Sequence, residues 1–208
     1  MTRLVVVSAG LSTPSSTQLL ADRLAAAVGE ALEEVEVTRV ELRALAHELT
    51  DQLLTGFPGA ALTAAQDAVR AADGVVAVTP IYSASYSGLF KTFFDVLEPG
   101  ALDGTPVLIA ATGGTGRHSL ALEHALRPLF AHLRAVVVPT GVYAATDDFA
   151  GTDLDARITR AAGELALLAG KVSRTDAAAP AARGRRTAAE ELADPTPFEQ
   201  LLREASGG

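Results

Sequence analysis

The sequence predicts an α/β fold in which one doubly wound, five-stranded parallel sheet is covered by helices on both faces. Three observations carry this prediction. Apolar runs of strand length alternate with segments of helical periodicity through the first three quarters of the 208 residues. That alternation implies parallel strands joined by right-handed crossovers. Residues 4–7, 74–79 and 107–111 are apolar runs that each end in a loop of small residues, and the three loops differ in chemistry. In an open sheet of this kind ligands bind beyond the carboxyl ends of the strands, where the strand order reverses.

Taken in order, residues 4–7 form the first strand, and residues 16–28 follow with Leu19, Leu20, Leu24 and Val28 at helical spacing. Residues 35–42 alternate apolar and polar, as in a strand with one side less buried. Residues 43–54 suit a short helix or helical loop. Thr63 is expected to cap a helix running to Ala72, with Gln66 completing a capping box. The apolar residues 75–78 suit a central strand of a covered sheet. Residues 88–97 read as a helix ended by Pro99-Gly100. Residues 107–111 are the fourth strand, 119–133 the next helix and 136–138 the fifth strand, and Asp153 opens a long helix to Val172. In the order 2-1-3-4-5 the switch point lies between the first and third strands, so their loops flank one crevice and the fourth strand's loop lies beside it.

The remainder changes character. Residues 173–187 contain Ala-Ala-Ala-Pro-Ala-Ala-Arg-Gly-Arg-Arg and read as a flexible linker. Pro197-Phe198-Glu199-Gln200-Leu201-Leu202 reads as a short amphipathic element that either caps the domain edge or docks on a surface. One domain is expected over residues 1–172, with a linker and tail over 173–208.

Composition narrows the chemistry. A net charge of −8 argues against nucleic acid as a partner, since phosphate backbones need a clustered basic face. With no cysteine, disulfides, thiolate catalysis and thiolate-bound metals are excluded. No apolar run approaches the length of a membrane span. Met1-Thr2-Arg3 enters a strand at once, so no signal peptide and a cytoplasmic location are expected. Arginine outnumbers lysine 15 to 2, a bias that GC-rich coding explains. His47, His118, His124 and His132 lack metal-ligand spacing, and His124 and His132 are expected on a helix surface. Neither a Walker loop nor a G-x-S-x-G elbow is present.

The first loop offers Ser8, Ser12, Thr13, Ser15, Ser16 and Thr17 at a helix start. Hydroxyls and free N–H groups there suit a phosphate, and they equally suit ordinary helix capping. No arginine or lysine lies between Arg3 and Arg23, so neutral donors are expected to hold the anion. The second loop presents Tyr82 and Tyr86 among serines, suited to a planar heterocycle or to plain packing. Lys91, in the helix that follows, is expected to be solvated. The third, Gly113-Gly114-Thr115-Gly116, permits close backbone approach, and Arg117 and His118 follow it. It is not a G-x-G-x-x-G fingerprint and follows the wrong strand for one. Hydroxyl, aromatic and glycine loops together outline a flavin site.

These residues resemble the NAD(P)H-dependent FMN reductase family of flavodoxin-like proteins. The resemblance covers residues 4–172 and rests on residues 12–17, on Thr79-Pro80-Ile81-Tyr82 with Gly88-Leu89-Phe90-Lys91, and on Ala111-Thr112-Gly113-Gly114 with Arg117-His118. It implies a flavodoxin-like doubly wound sheet, FMN with NADPH or NADH, and hydride transfer from nicotinamide C4 to flavin N5 without a catalytic side chain or metal. It assigns Ser12, Ser15, Ser16 and Thr17 to the FMN phosphate. Pro80, Ile81, Tyr82 and Ser83 fall to the flavin ring and ribityl region, and Thr112, Gly113 and Gly114 to the ring edge. Arg117 is a candidate contact for flavin or nicotinamide nucleotide. Many members carry an arginine in the first loop, and this chain departs from them there. The resemblance also implies a homodimer or homotetramer, with residues 88–97 at the interface. Thr196 and the six residues after it resemble a tail in an actinobacterial subgroup that accompanies luciferase-like monooxygenases, so a flavin-dependent monooxygenase is an expected partner. An FMN-containing quinone or azo-compound reductase would use the same site, and a non-catalytic electron carrier is a third reading.

Overall fold

A computed structural model describes residues 1–170 and Pro197. The linker and tail expected over residues 173–208 lie outside the described residues, Pro197 apart. The first strand, β1 (Thr2–Ser8), is continuous with apolar side chains on both faces, as a strand covered on both sides requires. Helix α1 (Ser16–Ala31) buries Thr17, Leu20, Ala21, Leu24, Ala25 and Val28. Leu19, expected on that face, is 46% exposed, because the i, i+4 line through Leu20, Leu24 and Val28 centres the apolar stripe one residue further round. The edge strand β2 (Val35–Glu41) keeps the expected alternation only at its start: Val35 and Val37 pack on the face that α1 covers, Thr38 and Arg39 are both exposed, and Val40 is buried on the opposite face.

Helix α2 (Ala46–Thr55) ends on Gly56 in the left-handed conformation, and α3 (Ala60–Ala71) follows. Thr63 does not cap α3, contrary to the expectation. Gly59 is the N-cap, Thr63 lies inside the helix, and its hydroxyl donates back to the Gly59 carbonyl at 2.9 Å. The cap comes from another helix: the Glu48 carboxylate of α2 accepts the Leu62 N–H at 2.8 Å. A Cβ at position 59 would collide with that carboxylate, which explains the glycine.

The central strand β3 (Gly74–Tyr82) leads through a short hairpin to β4 (Ser85–Tyr86) and then α4 (Gly88–Asp95). Next come β5 (Pro106–Gly113), a 3-10 turn at Gly116–His118, a π-turn at Leu122–Leu126 and α5 (Arg127–His132). The single helix expected over 119–133 is therefore a π-turn running into a short α-helix. Pro128 has no N–H to return to His124, so the i→i−4 ladder cannot run unbroken. His124 and His132 are exposed, as expected. The fifth strand is also longer than read. It comprises β6 (Val136–Val137) and β7 (Val142–Ala145), both parallel to β5, one pairing at Pro106 and Val107 and the other at Ala110–Gly113. Side chains hold the gap between them. Glu164 accepts from the Thr140 N–H and hydroxyl, each at 2.7 Å, and Arg127 donates to the Val138 and Pro139 carbonyls at 3.0 and 3.1 Å. After a 3-10 turn at Thr146–Ala150, α6 (Asp153–Ala169) completes the fold.

The strand order is β2-β1-β3-β5, then β6 and β7 on the far side of β5, all parallel, with β4 antiparallel on the end of β3. This is the 2-1-3-4-5 order, its fifth position filled by two segments. Helices α1 and α6 pack on one face over Leu4, Val6, Val76, Val78, Leu108 and Ala110. The other helices cover Val5, Val7, Val75, Ala77, Val107 and Ile109 on the opposite face. There Phe90, Phe94 and Phe130 interlock, with Phe94 edge-on to Phe130 at 4.9 Å.

Candidate functional site

The carboxyl ends of β1, β3 and β5 lie side by side in the register Ser8 to Val78 and Pro80 to Thr112. β1 connects outward to β2 through α1, while β3 connects the other way through α4, so the switch point is between β1 and β3. Along β1, Leu4 and Val6 face α1, and Ser8 shares their parity. Its hydroxyl, on the face that α1 covers, is buried with no hydrogen-bond partner. Ser15 caps α1, accepting the Gln18 N–H at 3.2 Å. No acidic residue occupies the first turn, so the positive end of the helix dipole stays uncompensated. Gly10 carries hydrogen where any Cβ would collide with the Ser15 hydroxyl, so the loop folds tightly back on the helix start. Ser12 and Ser16 are exposed at its rim.

Thr17 is buried, and its hydroxyl meets that of Thr112 at 2.7 Å. The first and third loops are thereby fastened together. Thr112 and Gly113, expected in a loop, are the last residues of β5. A Cβ at Gly113 would collide with the Tyr143 hydroxyl, which donates to the Thr115 carbonyl at 2.7 Å. Burial, reinforced by the Asp148 charge, pushes the Tyr143 phenol above its usual range and keeps it a donor. Gly114 is exposed with open space around it. Arg117 and His118 are exposed on the 3-10 turn, and the Arg117 N–H donates to Thr115 Oγ1 at 3.4 Å.

Pro80, Ile81 and Tyr82, also expected in a loop, are strand residues, and only Ser83 and Ala84 form the turn. Both are non-glycine residues with positive φ, 48° and 67°, the backbone of a tight two-residue hairpin. The two tyrosines part company. Tyr86 packs toward the core, 6.0 Å from Phe90, whereas Tyr82 remains half exposed at the crevice. The hairpin is held from beneath: Thr79 Oγ1 accepts the Ser87 N–H at 3.1 Å, and Ser87 caps α4 by accepting from Phe90 at 3.2 Å. Lys91 is not simply solvated but paired with Asp95 one turn on, at 2.7 Å.

Sequence reasoning singled out the three loops, gave Thr79 only as part of a motif carrying the resemblance, and missed the roles of Gly10, Ser87 and Tyr143. It also missed Arg43, just beyond β2, whose guanidinium donates to Thr13 Oγ1 at 2.6 Å. Of the missed residues, only Ser87 could have been found, from its position just before Gly88 and an apolar helix.

A parallel sheet with its switch point ringed by a hydroxyl-bearing helix start, a half-exposed tyrosine hairpin and a glycine strand end defines a mononucleotide-binding α/β protein. Residues 2–150 match the model of the NADPH-dependent FMN reductase family. An FMN reductase (NADPH) of Pseudomonas aeruginosa is 41% identical over 173 residues, covering 81% of this chain and 92% of that protein. The crystal structure of an oxidoreductase from Corynebacterium diphtheriae superposes with a TM-score of 0.81 at 49% identity, covering 83% of this chain and 99% of that one. The NADH:FMN oxidoreductase EMOB, in its apo form, gives a TM-score of 0.72 at 31% identity, covering 85% and 100%. The chain belongs to the NADPH-dependent FMN reductase family, and it is an oxidoreductase of the flavodoxin-like fold.

Proposed function

We propose that this NAD(P)H-dependent FMN reductase binds FMN across the β1–β3 crevice, with its phosphate on the start of α1 and its ring between the Tyr82 hairpin and the end of β5. The observation that carries this reading is the buried 2.7 Å hydrogen bond between Thr17 and Thr112, which holds the phosphate-type loop and the glycine strand end in one fixed relation. Ser12, Ser15, Ser16 and Thr17 supply hydroxyls, and the first amides of α1 supply N–H donors. The unpartnered Ser8 hydroxyl and the acid-free first turn fit an anionic, hydrogen-bonding group there. Pro80, Ile81, Tyr82 and Ser83 flank the ring and ribityl chain, and Thr112, Gly113 and Gly114 its edge. FMN held there would supply N5 as the acceptor for a hydride from nicotinamide C4. The chain itself orients the two planes, and open space at Gly114 leaves room for close approach. Arg117, exposed at the mouth, contacts the nicotinamide nucleotide.

The chain works as a homodimer or homotetramer through α4, in the cytoplasm, with residues 1–172 as the flavin domain. Among the described residues no helix is long and apolar enough to cross a membrane. Residues 173–208 serve as linker and tail toward a flavin-dependent monooxygenase that consumes the reduced flavin. Anaerobic stopped-flow mixing of the purified protein with NADPH and with NADH, with and without FMN, tests the reading. Bleaching of flavin absorbance near its oxidised maximum, dependent on either nucleotide, is the expected result. Flavin that binds but is not reduced by either nucleotide would identify an electron carrier instead.

A further inference from the structure

The first loop has an electrostatic gap. Between Arg3 and Arg23 it contributes no cation, yet a phosphomonoester carries about −1.5 to −2 charges at pH 7. The chain is also acidic overall, with a net charge of −8. Helix-terminal amides and hydroxyls bind such a group but do not neutralise it.

The tertiary structure brings a cation to this place from outside the loop. β2 pairs with β1 through Ser8 and Glu41, and the Leu42 N–H extends the pairing by donating to the Ser8 carbonyl at 2.9 Å. Arg43 therefore emerges beside the first loop, and its guanidinium reaches Thr13 Oγ1 at 2.6 Å. The side chain is exposed, and Thr13 is its one hydrogen-bond partner among the described residues. A guanidinium has five N–H donors in a planar fork suited to phosphate oxygens, so most of them stay available. The position also selects which end of a nucleotide Arg43 meets. In the order β2-β1-β3-β5, Arg43 lies on the β2 side of the crevice, opposite the Tyr82 hairpin and Gly113 that flank the ring.

We infer that Arg43 is the charge-bearing residue of the FMN phosphate site, delivered from the end of β2 and steadied by Thr13, so that it makes the site selective for FMN over the uncharged riboflavin. The inference rests on the proposed placement of the phosphate at the start of α1.

The test compares dissociation constants for FMN and riboflavin, by flavin fluorescence quenching, in the unaltered protein, in Arg43→Ala, in Arg43→Lys, and in a Ser15→Ala/Ser16→Ala variant. Losing a hydrogen bond to a charged group corresponds to about ten- to a hundredfold in affinity. Arg43→Ala should weaken FMN by that factor while leaving riboflavin unchanged. Arg43→Lys should recover part of the loss, and the salt dependence of FMN binding should flatten in Arg43→Ala. Unchanged thermal unfolding of the Arg43 variants separates charge loss from misfolding. If the serine variant loses FMN selectivity and Arg43→Ala keeps it, the inference fails while the phosphate placement stands. If neither variant changes the FMN-to-riboflavin ratio, the placement and the inference both fail. If Arg43→Ala raises the KM for NADPH but not for NADH, with flavin selectivity unchanged, the residue serves the coenzyme phosphate and the inference is overturned.

Discussion

Thr17 and Thr112 show how much one side-chain pair contributes when both partners are out of water. Their hydroxyls bond at 2.7 Å with each residue 3% exposed. Replacing one by valine strands the other hydroxyl, at a cost of about 1–3 kcal/mol, whereas replacing both removes the unsatisfied group. Urea unfolding of Thr17→Val, Thr112→Val and the double variant should show the double costing less than the sum of the singles. Weaker FMN binding is expected in all three, because the bond positions two loops of the proposed site. Tyr143 is a second residue of this kind. Its phenol lies above the ordinary tyrosine value because burial disfavours the phenolate and Asp148 adds repulsion. A group that holds its proton more tightly when folded adds stability below its unfolded pKa, about 10 for tyrosine, and loses it as pH rises through the folded value. Chemical denaturation followed from pH 8 upward should show stability falling above about pH 10, with a shallower fall in Tyr143→Phe.

At the scale of an element, the β3–β4 hairpin is the piece most at odds with its own sequence. Ser83 and Ala84 occupy the left-handed region without being glycine or asparagine, at a cost of roughly 1–2 kcal/mol per residue. The surroundings enforce it. Pairing of Ile81 with Tyr86 and Tyr82 with Ser85 leaves only two residues for the turn, and Thr79 and Ser87 tie its base to α4. Ala84→Gly should therefore stabilise the protein, by up to about 1 kcal/mol once the greater unfolded-state freedom of glycine is subtracted. Thermal unfolding measures this directly. A destabilised Ala84→Gly would mean that the alanine methyl makes a contact outweighing the backbone strain.

For the molecule as a whole, two cores divided by one sheet make a rigid platform, and the crevice lies along one rim of it. Covered strands leave the loops at their carboxyl ends free to vary in chemistry without disturbing the fold. Assembly belongs to this scale too. A two-fold dimer through α4 would use one surface twice, and Phe90, Phe93 and Phe94 keep the inner side of that helix committed to the core. Sedimentation velocity at micromolar concentration should give a dimer or tetramer. A monomer that still reduces FMN would show that the site is complete within one chain.

The sequence by itself determined the architecture and pointed to the crevice where the flavin site is proposed. Its inner strands are uninterrupted apolar runs, its helices follow a 3.6-residue period, and the small-residue loops after β1, β3 and β5 stand out because strand and helix patterns stop there. All of these signals are local, carried by neighbouring residues. Tertiary structure decided the rest, because the deciding hydrogen bonds join residues far apart in sequence. The α3 cap is Glu48, 14 residues before the Leu62 amide it accepts. Thr17 and Thr112 are 95 residues apart. The gap in the fifth strand is bridged by contacts from Glu164 and Arg127, and Tyr82 and Tyr86 part only once strand pairing sends them to different surroundings. Arg43 makes the same point for the site. Thirty residues separate it from Thr13, and only the parallel pairing of β2 with β1 places its charge beside a loop that has none.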